Sequence, residues 1–138
     1  MLVEMKTEMN FPKELIPYRL AVGRAQIDAY AEMSNDFNPI HMDAEAARSA
    51  GMTDAIAHGM LSLNLIWESI ETSFDILHSH ELSLDVRFRS PVHLDETVET
   101  GSALKTETGD YEVWVSNQNG LRVIEGTLKV RAKGHTDD

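Results

Sequence analysis

Asp36, Asn38 and His41 fall within six residues, in the run Tyr30-Ala-Glu-Met-Ser34-Asn35-Asp36-Phe37-Asn38-Pro39-Ile40-His41-Met42-Asp43. Asn38 precedes Pro39, so its backbone is pushed out of the α region and the chain must turn or extend there. That bend lets the Asp36 carboxylate and the His41 imidazole project toward one point. A carboxylate and a neutral imidazole that share one water can supply both halves of a proton transfer. Turn formation alone would also account for Asp36 and Asn38, with His41 as a capping group.

A second segment tips the balance toward chemistry. Ala55-Ile56-Ala57-His58-Gly59-Met60-Leu61 follows about 15 residues downstream and opens a long apolar stretch. Together, Ser34–Asp43 and Ala57–Leu61 resemble the hydratase signature of the MaoC-like dehydratases, which include the (R)-specific enoyl-CoA hydratases. The family signature reads Ser-Gly-Asp-x-Asn-Pro-Ile/Leu-His-x-Asp, followed by His-Gly-Met at a helix start. Asn35 stands here where glycine is common. Val86-Arg-Phe-Arg-Ser-Pro-Val92 resembles the family's strand and bend after the central helix. The likeness covers about residues 17 to 131 of a chain read as one domain, 1–138.

The resemblance implies an α+β hot-dog fold, a curved antiparallel sheet wrapped around a central buried helix. It implies addition of water to a trans-2-enoyl thioester to give a (3R)-3-hydroxyacyl thioester, with Asp36 and His41 as the catalytic pair. The carrier would be coenzyme A or acyl carrier protein, and the site would close across a homodimer or a dimer of dimers. No cofactor is implied.

Gly59 suits a further requirement of that chemistry, a hold on the enolate oxygen. At a helix start the backbone N–H groups lack partners and the dipole favours negative charge. A residue without a side chain lets an oxygen approach. A close contact between strand and helix would equally require a glycine. Asn38 and His58 are expected beside Gly59 in substrate binding, Asn38 chiefly by orienting His41 or its loop and His58 by stabilising the helix start. His41 and Asp43 could ligate a metal, but no third ligand has suggestive spacing, so none is expected. Ser62 has no partner for a nucleophile role, and its loss is expected to cost little. His78, His80 and His93 have no acidic partner at ligand spacing and read as surface or packed residues. Met60 and the stripe it begins read as core or as the lining of an acyl tunnel.

The elements that must position these groups follow from periodicity. Ile27, Tyr30 and Ala31 fall at i, i+3 and i+4, a helix between Gly23 and Ser34 that delivers the chain to Asp36. Asp43 can cap a short helix, Ala44 to Ala50, with Gly51 as its stop. Met60, Leu61, Leu63, Leu65, Ile66, Trp67, Ile70 and Phe74 cover most of the next helix, which should be buried on nearly all sides. Leu82, Leu84, Val86 and Phe88 alternate with Ser83, Asp85, Arg87 and Arg89 as a half-buried strand. Tyr111 to Ser116 and Leu121 to Val130 flank Asn119-Gly120, a two-residue hairpin signal. The apolar parity changes between Val123 and Ile124, with Gly126 beyond, so a bulge is expected there. Residues 1 to 10 have no clean period, and the tail after Lys133 reads as frayed.

Composition narrows the partners. Net charge is −11, from 12 basic and 23 acidic side chains, which excludes the cationic footprint a nucleic acid needs. No stretch is apolar enough to span a bilayer. There is no cysteine, so a disulfide scaffold and a thiol nucleophile are excluded, and a cytoplasmic protein is expected. An anionic coenzyme A would need a local basic cluster, and Arg87 and Arg89 share one strand face. Two other functions remain open for such a fold: thioester hydrolysis, whose hot-dog enzymes lack the Asn-Pro-Ile-His arrangement, and a non-catalytic partner subunit.

Overall fold

The computed structural model describes residues 11–74 and 80–132 of the 138-residue chain. The first ten residues, His78 and the tail from Lys133 lie outside them. In chain order the elements are β1 (Arg19–Ala21), α1 (Arg24–Ser34), α2 (Pro39–Met42), α3 (Ala44–Ser49), α4 (Gly59–Ser73), β2 (His80–Phe88), β3 (Thr97–Thr106), β4 (Asp110–Asn117) and β5 (Arg122–Ala132). The strands form one antiparallel sheet in the order β1-β3-β4-β5-β2.

The sheet curls over α4, which packs on β3 and β4. Leu63, Leu65, Ile66 and Ile70 of α4 meet Val98, Tyr111, Val113, Val115, Leu128 and Val130 of the sheet, with Ile27 of α1 in the same cluster. Each such aliphatic side chain gains about 1.5–3 kcal/mol from burial. This is the hot-dog arrangement that the resemblance implied. The expectation of all-round burial needs correction: Met60, Glu68, Glu71 and Thr72 are exposed along one strip of α4. Five strands do not close around a helix, and the two glutamates keep their charge in water.

β2 pairs with β5 over nine residues, from His80 with Ala132 to Phe88 with Ile124, and among the described residues no strand lies at its other edge. Its apolar side chains Leu82, Leu84 and Val86 are half-buried. The expected bulge is present in β5. Val115 pairs with Ile124 and Ser116 with Arg122, so Val123 is the extra residue, and Val123 and Ile124 are both buried. The β4–β5 turn is one residue longer than its sequence signal suggests. Asn117 and Leu121 are joined by N–H···O at 2.9 Å across Gln118, Asn119 and Gly120, with Gly120 at φ 81. Asn117 Oδ1 accepts from the N–H groups of Asn119 and Leu121, which organises the longer loop.

α1 ends at Asn35, whose φ of 57 and ψ of 32 are left-handed. Asparagine tolerates that conformation better than any other side chain of its size, which explains how it replaces the family's usual glycine.

Candidate active site

The bend after α1 is fixed by hydrogen bonds that its own polar residues supply. Asp36 Oδ1 accepts from Asn38 N–H at 3.2 Å, and Asn38 Oδ1 accepts from Ile40 N–H at 3.2 Å. Asn38 is extended, φ −53 and ψ 130, and caps α2, with Pro39 at the first helical position. The single turn of α2 was not expected from the sequence, because the X-Pro signal that ends one helix here begins another. His41 lies on that turn and is buried.

His41 Nδ1 lies 2.8 Å from the Ile56 carbonyl oxygen. A carbonyl only accepts, so Nδ1 carries the proton and a neutral His41 presents a lone pair at Nε2. That lone pair lies 3.9 Å from Asp36 Oδ2. One water can donate one hydrogen to each of these acceptors. The Asp36 side chain remains 51% exposed, against 9% for His41.

The second segment holds the first in place. Ile56 N–H donates to Ile40 O at 3.0 Å, so Ile40–His41 and Ile56 are tied both ways. Ala57 N–H donates to Val92 O and Leu94 N–H to Ala55 O, fastening this segment to the chain beyond β2. His58, only 3% exposed, donates Nε2–H to the main-chain oxygen of Asp36 at 2.8 Å. Its ring stacks on His41, centroids 3.8 Å apart at 26°. Its Nδ1 is buried with no hydrogen-bond partner among the described residues.

Asp36, His41 and His58 each bring one potential ligand atom within 4.8 Å of the others. His58 is thus the third neighbour that sequence spacing did not offer. An ion must lie in the plane of each imidazole that binds it, and two rings stacked at 26° do not aim their lone pairs at one nearby point. The cluster fits a shared water better than a metal.

A cavity of about 320 Å³ opens beside His41. It is lined by His41, His58, Gly59 and Ser62 on one side and by residues 88–92, Val123 and Ile124 on the other. Gly59 begins α4, as expected, and a methyl there would come within 2.9 Å of the half-exposed Phe88 ring, which would have to shift. Asn38 and Asp36 do not line the cavity. Asn38, expected chiefly to orient His41 or its loop, caps the turn that carries His41. Ser62, read from the sequence as a bystander, is 2% exposed and lines the cavity. Its i+4 spacing from His58 was the available signal.

Two further readings change. His93 has an acidic partner after all, donating Nδ1–H to Glu96 Oε1 at 2.9 Å within the turn before β3. Arg87 and Arg89 do not form a purely basic patch: with Lys105 and Lys129 they line an outer groove that also holds Asp85, Asp110, Glu112 and Glu125. Arg89 pairs with Glu125 at 3.5 Å and also reaches the cavity wall. Arg24 was missed entirely. Its guanidinium donates to His41 O at 2.8 Å and to Asp28 Oδ1 at 2.9 Å, clamping α2 to α1.

Comparison with known proteins agrees with this geometry. The family model for the MaoC like domain matches residues 6–132. A protein of Arabidopsis thaliana named 3-hydroxyacyl-[acyl-carrier-protein] dehydratase, mitochondrial, is 36% identical over 108 residues, 72% of this chain and 64% of that one. The (R)-specific enoyl-CoA hydratase of Rhodospirillum rubrum is 30% identical over 120 residues, 82% of this chain and 83% of that one. The chain thus spans less than two thirds of the Arabidopsis relative, and its match covers 41% of a tomato one. Among solved structures, the unliganded R-hydratase PhaJ1 of Pseudomonas aeruginosa superimposes with a TM-score of 0.74 at 28% identity, covering 91% of this chain and 83% of that one. The bent Asp-Asn-His segment, the helix that starts at Gly59 and the curled five-stranded sheet place the chain in the MaoC-like domain family of hot-dog hydratases and dehydratases.

Proposed function

We propose that the protein adds water reversibly to a trans-2-enoyl thioester, giving the (3R)-3-hydroxyacyl thioester, with coenzyme A as the carrier. The observation that carries this reading is the pair of free acceptors, Asp36 Oδ2 and His41 Nε2, 3.9 Å apart. As the water oxygen bonds to the β-carbon, the pair removes one of its protons. The alkene electrons move onto the thioester oxygen, and the pair returns a proton to the α-carbon. Gly59 N–H, at the positive end of α4, is placed to stabilise the enolate oxygen. His58 and Asn38 hold the loop that carries the pair.

An enclosed acyl chain needs more wall than one chain supplies. Asp36 is half exposed, and β2, whose outer edge is unpaired among the described residues, carries half-buried apolar side chains. Both features support a homodimer, or a dimer of dimers, that covers them. The lack of cysteine suits a reducing compartment, and we place the protein in the cytoplasm. No helix among the described residues is long and apolar enough to cross a membrane.

A second reading keeps the chemistry and changes the carrier, because the Arabidopsis relative is named for acyl carrier protein. An acidic carrier protein meets a chain of net charge −11, and like charges slow such encounters. Incubation with crotonyl-CoA and with the crotonyl carrier protein tests both. Loss of enoyl absorbance supports hydration, and the ratio of the two kcat/KM values names the carrier. Release of free thiol marks a thioesterase. No change with either substrate marks a non-catalytic subunit and overturns the proposal.

A further inference from the structure

α4 contains three serines, and two of them are hydrogen-bonded within the protein. Ser69 Oγ donates to Ile16 O, and Ser73 Oγ donates to Ser69 O while accepting from Ile16 N–H. Ser62 Oγ makes no hydrogen bond among the described residues, although the residue is 2% exposed. It does not even bond back to the carbonyl four residues earlier, the usual resort of a mid-helix serine. Ser62 Oγ is not among the buried polar atoms left without a partner, so the hydroxyl opens onto the cavity that the residue lines and is free to serve a molecule there.

Its position says what it can serve. Ser62 lines the same cavity as His41, His58 and Gly59. Helical side chains lean toward the N-terminus, and residues four apart share a face, so Ser62 stands one turn above His58 and leans over Gly59. The N–H of Leu61 is already taken by His58 O at 3.0 Å, which leaves the Gly59 amide as the donor of that turn without a side chain in front of it. The half-exposed Phe88 ring lies against the bare face of Gly59. The Gly59 N–H and the Ser62 O–H can then serve one oxygen.

We infer that Ser62 is a catalytic residue of the hydration, donating its hydroxyl hydrogen bond to the thioester oxygen as that oxygen gains enolate charge. This rests on the hydratase reading and deepens it. Ser62 keeps its proton throughout and forms no bond to the substrate. It reverses the expectation from sequence that Ser62→Ala is nearly silent.

The test compares wild type with Ser62→Ala, Ser62→Cys and Ser62→Thr on crotonyl thioesters, each variant checked for folding by circular dichroism and melting. Losing one oxyanion donor costs about 10²–10³-fold, and with the Gly59 amide retained Ser62→Ala should lower kcat by about 10–10²-fold. KM should stay within about threefold, and Ser62→Thr should regain part of the rate. The carbonyl stretch of bound ¹³C-labelled butyryl-CoA should shift down on wild type and less on Ser62→Ala, a change that loose packing would not give. Ser62→Cys keeps the test alive if alanine fails to fold. Wild-type turnover with folded Ser62→Ala and Ser62→Cys within about twofold of it overturns the role of Ser62 alone. So does a lost rate with an unchanged carbonyl stretch. A wild type that leaves every crotonyl thioester intact overturns the hydratase reading, and this inference with it.

Discussion

The imidazoles of His41 and His58 lie face to face, centroids 3.8 Å apart, and each donates its bonded N–H to a main-chain oxygen of the other's segment. His41 grips Ile56, and His58 grips Asp36. The exchange locks two stretches of chain, 15 and 22 residues apart in these contacts, into one unit. It makes His58 the residue that sets the height of the Asp36 backbone.

His58→Ala should therefore lose both stability and rate. The lost hydrogen bond and the stranded Asp36 carbonyl should cost about 1–3 kcal/mol in urea unfolding. A displaced Asp36 should lower kcat by up to about 10²-fold. His58→Gln, whose amide can reach the same carbonyl, should recover part of both. Equal losses in the two variants would show that the ring, and not its N–H, is what matters.

Asp36→Asn and His41→Ala should each reduce kcat by about 10²–10⁴-fold on the enoyl thioester, with the fold intact by circular dichroism. Both groups act on one water, so the double variant should be little slower than either single one. Asn38→Ala should cost less than either, through loss of the α2 cap alone. Near-normal turnover by folded Asp36→Asn would reduce Asp36 to a turn residue.

Gly126 is the stability counterpart of these sites. A methyl placed there would come within 2.0 Å of Asp85 O and 2.7 Å of Val86 Cα, both backbone atoms of the paired strand. Gly126→Ala should push β2 from β5 and lower stability by about 1–3 kcal/mol. Chemical denaturation reads this directly, and an unchanged midpoint would mean the pairing is looser than described.

Tyr111 ties the sheet to the N-terminal segment through its hydroxyl, which donates to Pro12 O at 2.6 Å. Burial pushes its phenol up to about 12, from the ordinary 10.0. The folded state thus prefers the neutral phenol. Its contribution is complete below pH 10 and is lost as the pH rises through 12. Urea melts between pH 9 and 12 should show a steeper alkaline decline for wild type than for Tyr111→Phe, and parallel curves would remove this tyrosine from the account.

In solution, light scattering should give twice the chain mass of 15.5 kDa or a multiple of it. A purely monomeric protein with full hydratase activity would show that one chain encloses its own substrate.

What the sequence revealed and what it hid divide along range. The bend at Asn38-Pro39, the cap at Asp43, the α4 stripe and the β5 bulge are written in neighbouring residues, through φ limits, capping and parity. Arg24 on the His41 carbonyl and His58 on the Asp36 carbonyl are pairings 17 and 22 residues apart, set only when α1, α2 and α4 meet. β1 and β3 escaped because their pattern is weak: β1 has three residues, and β3 mixes Val98 and Thr100 with Gly101. The place of Ser62 on the cavity wall was legible only as its i+4 spacing from His58, which gains meaning once residues 88–92 and the β5 bulge form the opposite wall.

The bulge in β5 does more than break a ladder. Val123 O accepts from both Arg89 N–H at 2.8 Å and Ser90 N–H at 3.3 Å. The irregular residue of one strand is thus the fastener for the loop that walls the cavity. Hydrogen exchange should show it: the amides of Arg89 and Ser90, although they follow the end of a strand, should exchange in step with the β4–β5 hairpin. The cavity wall and the sheet would then open as a single cooperative unit, and the shape of the site would be as durable as the sheet itself.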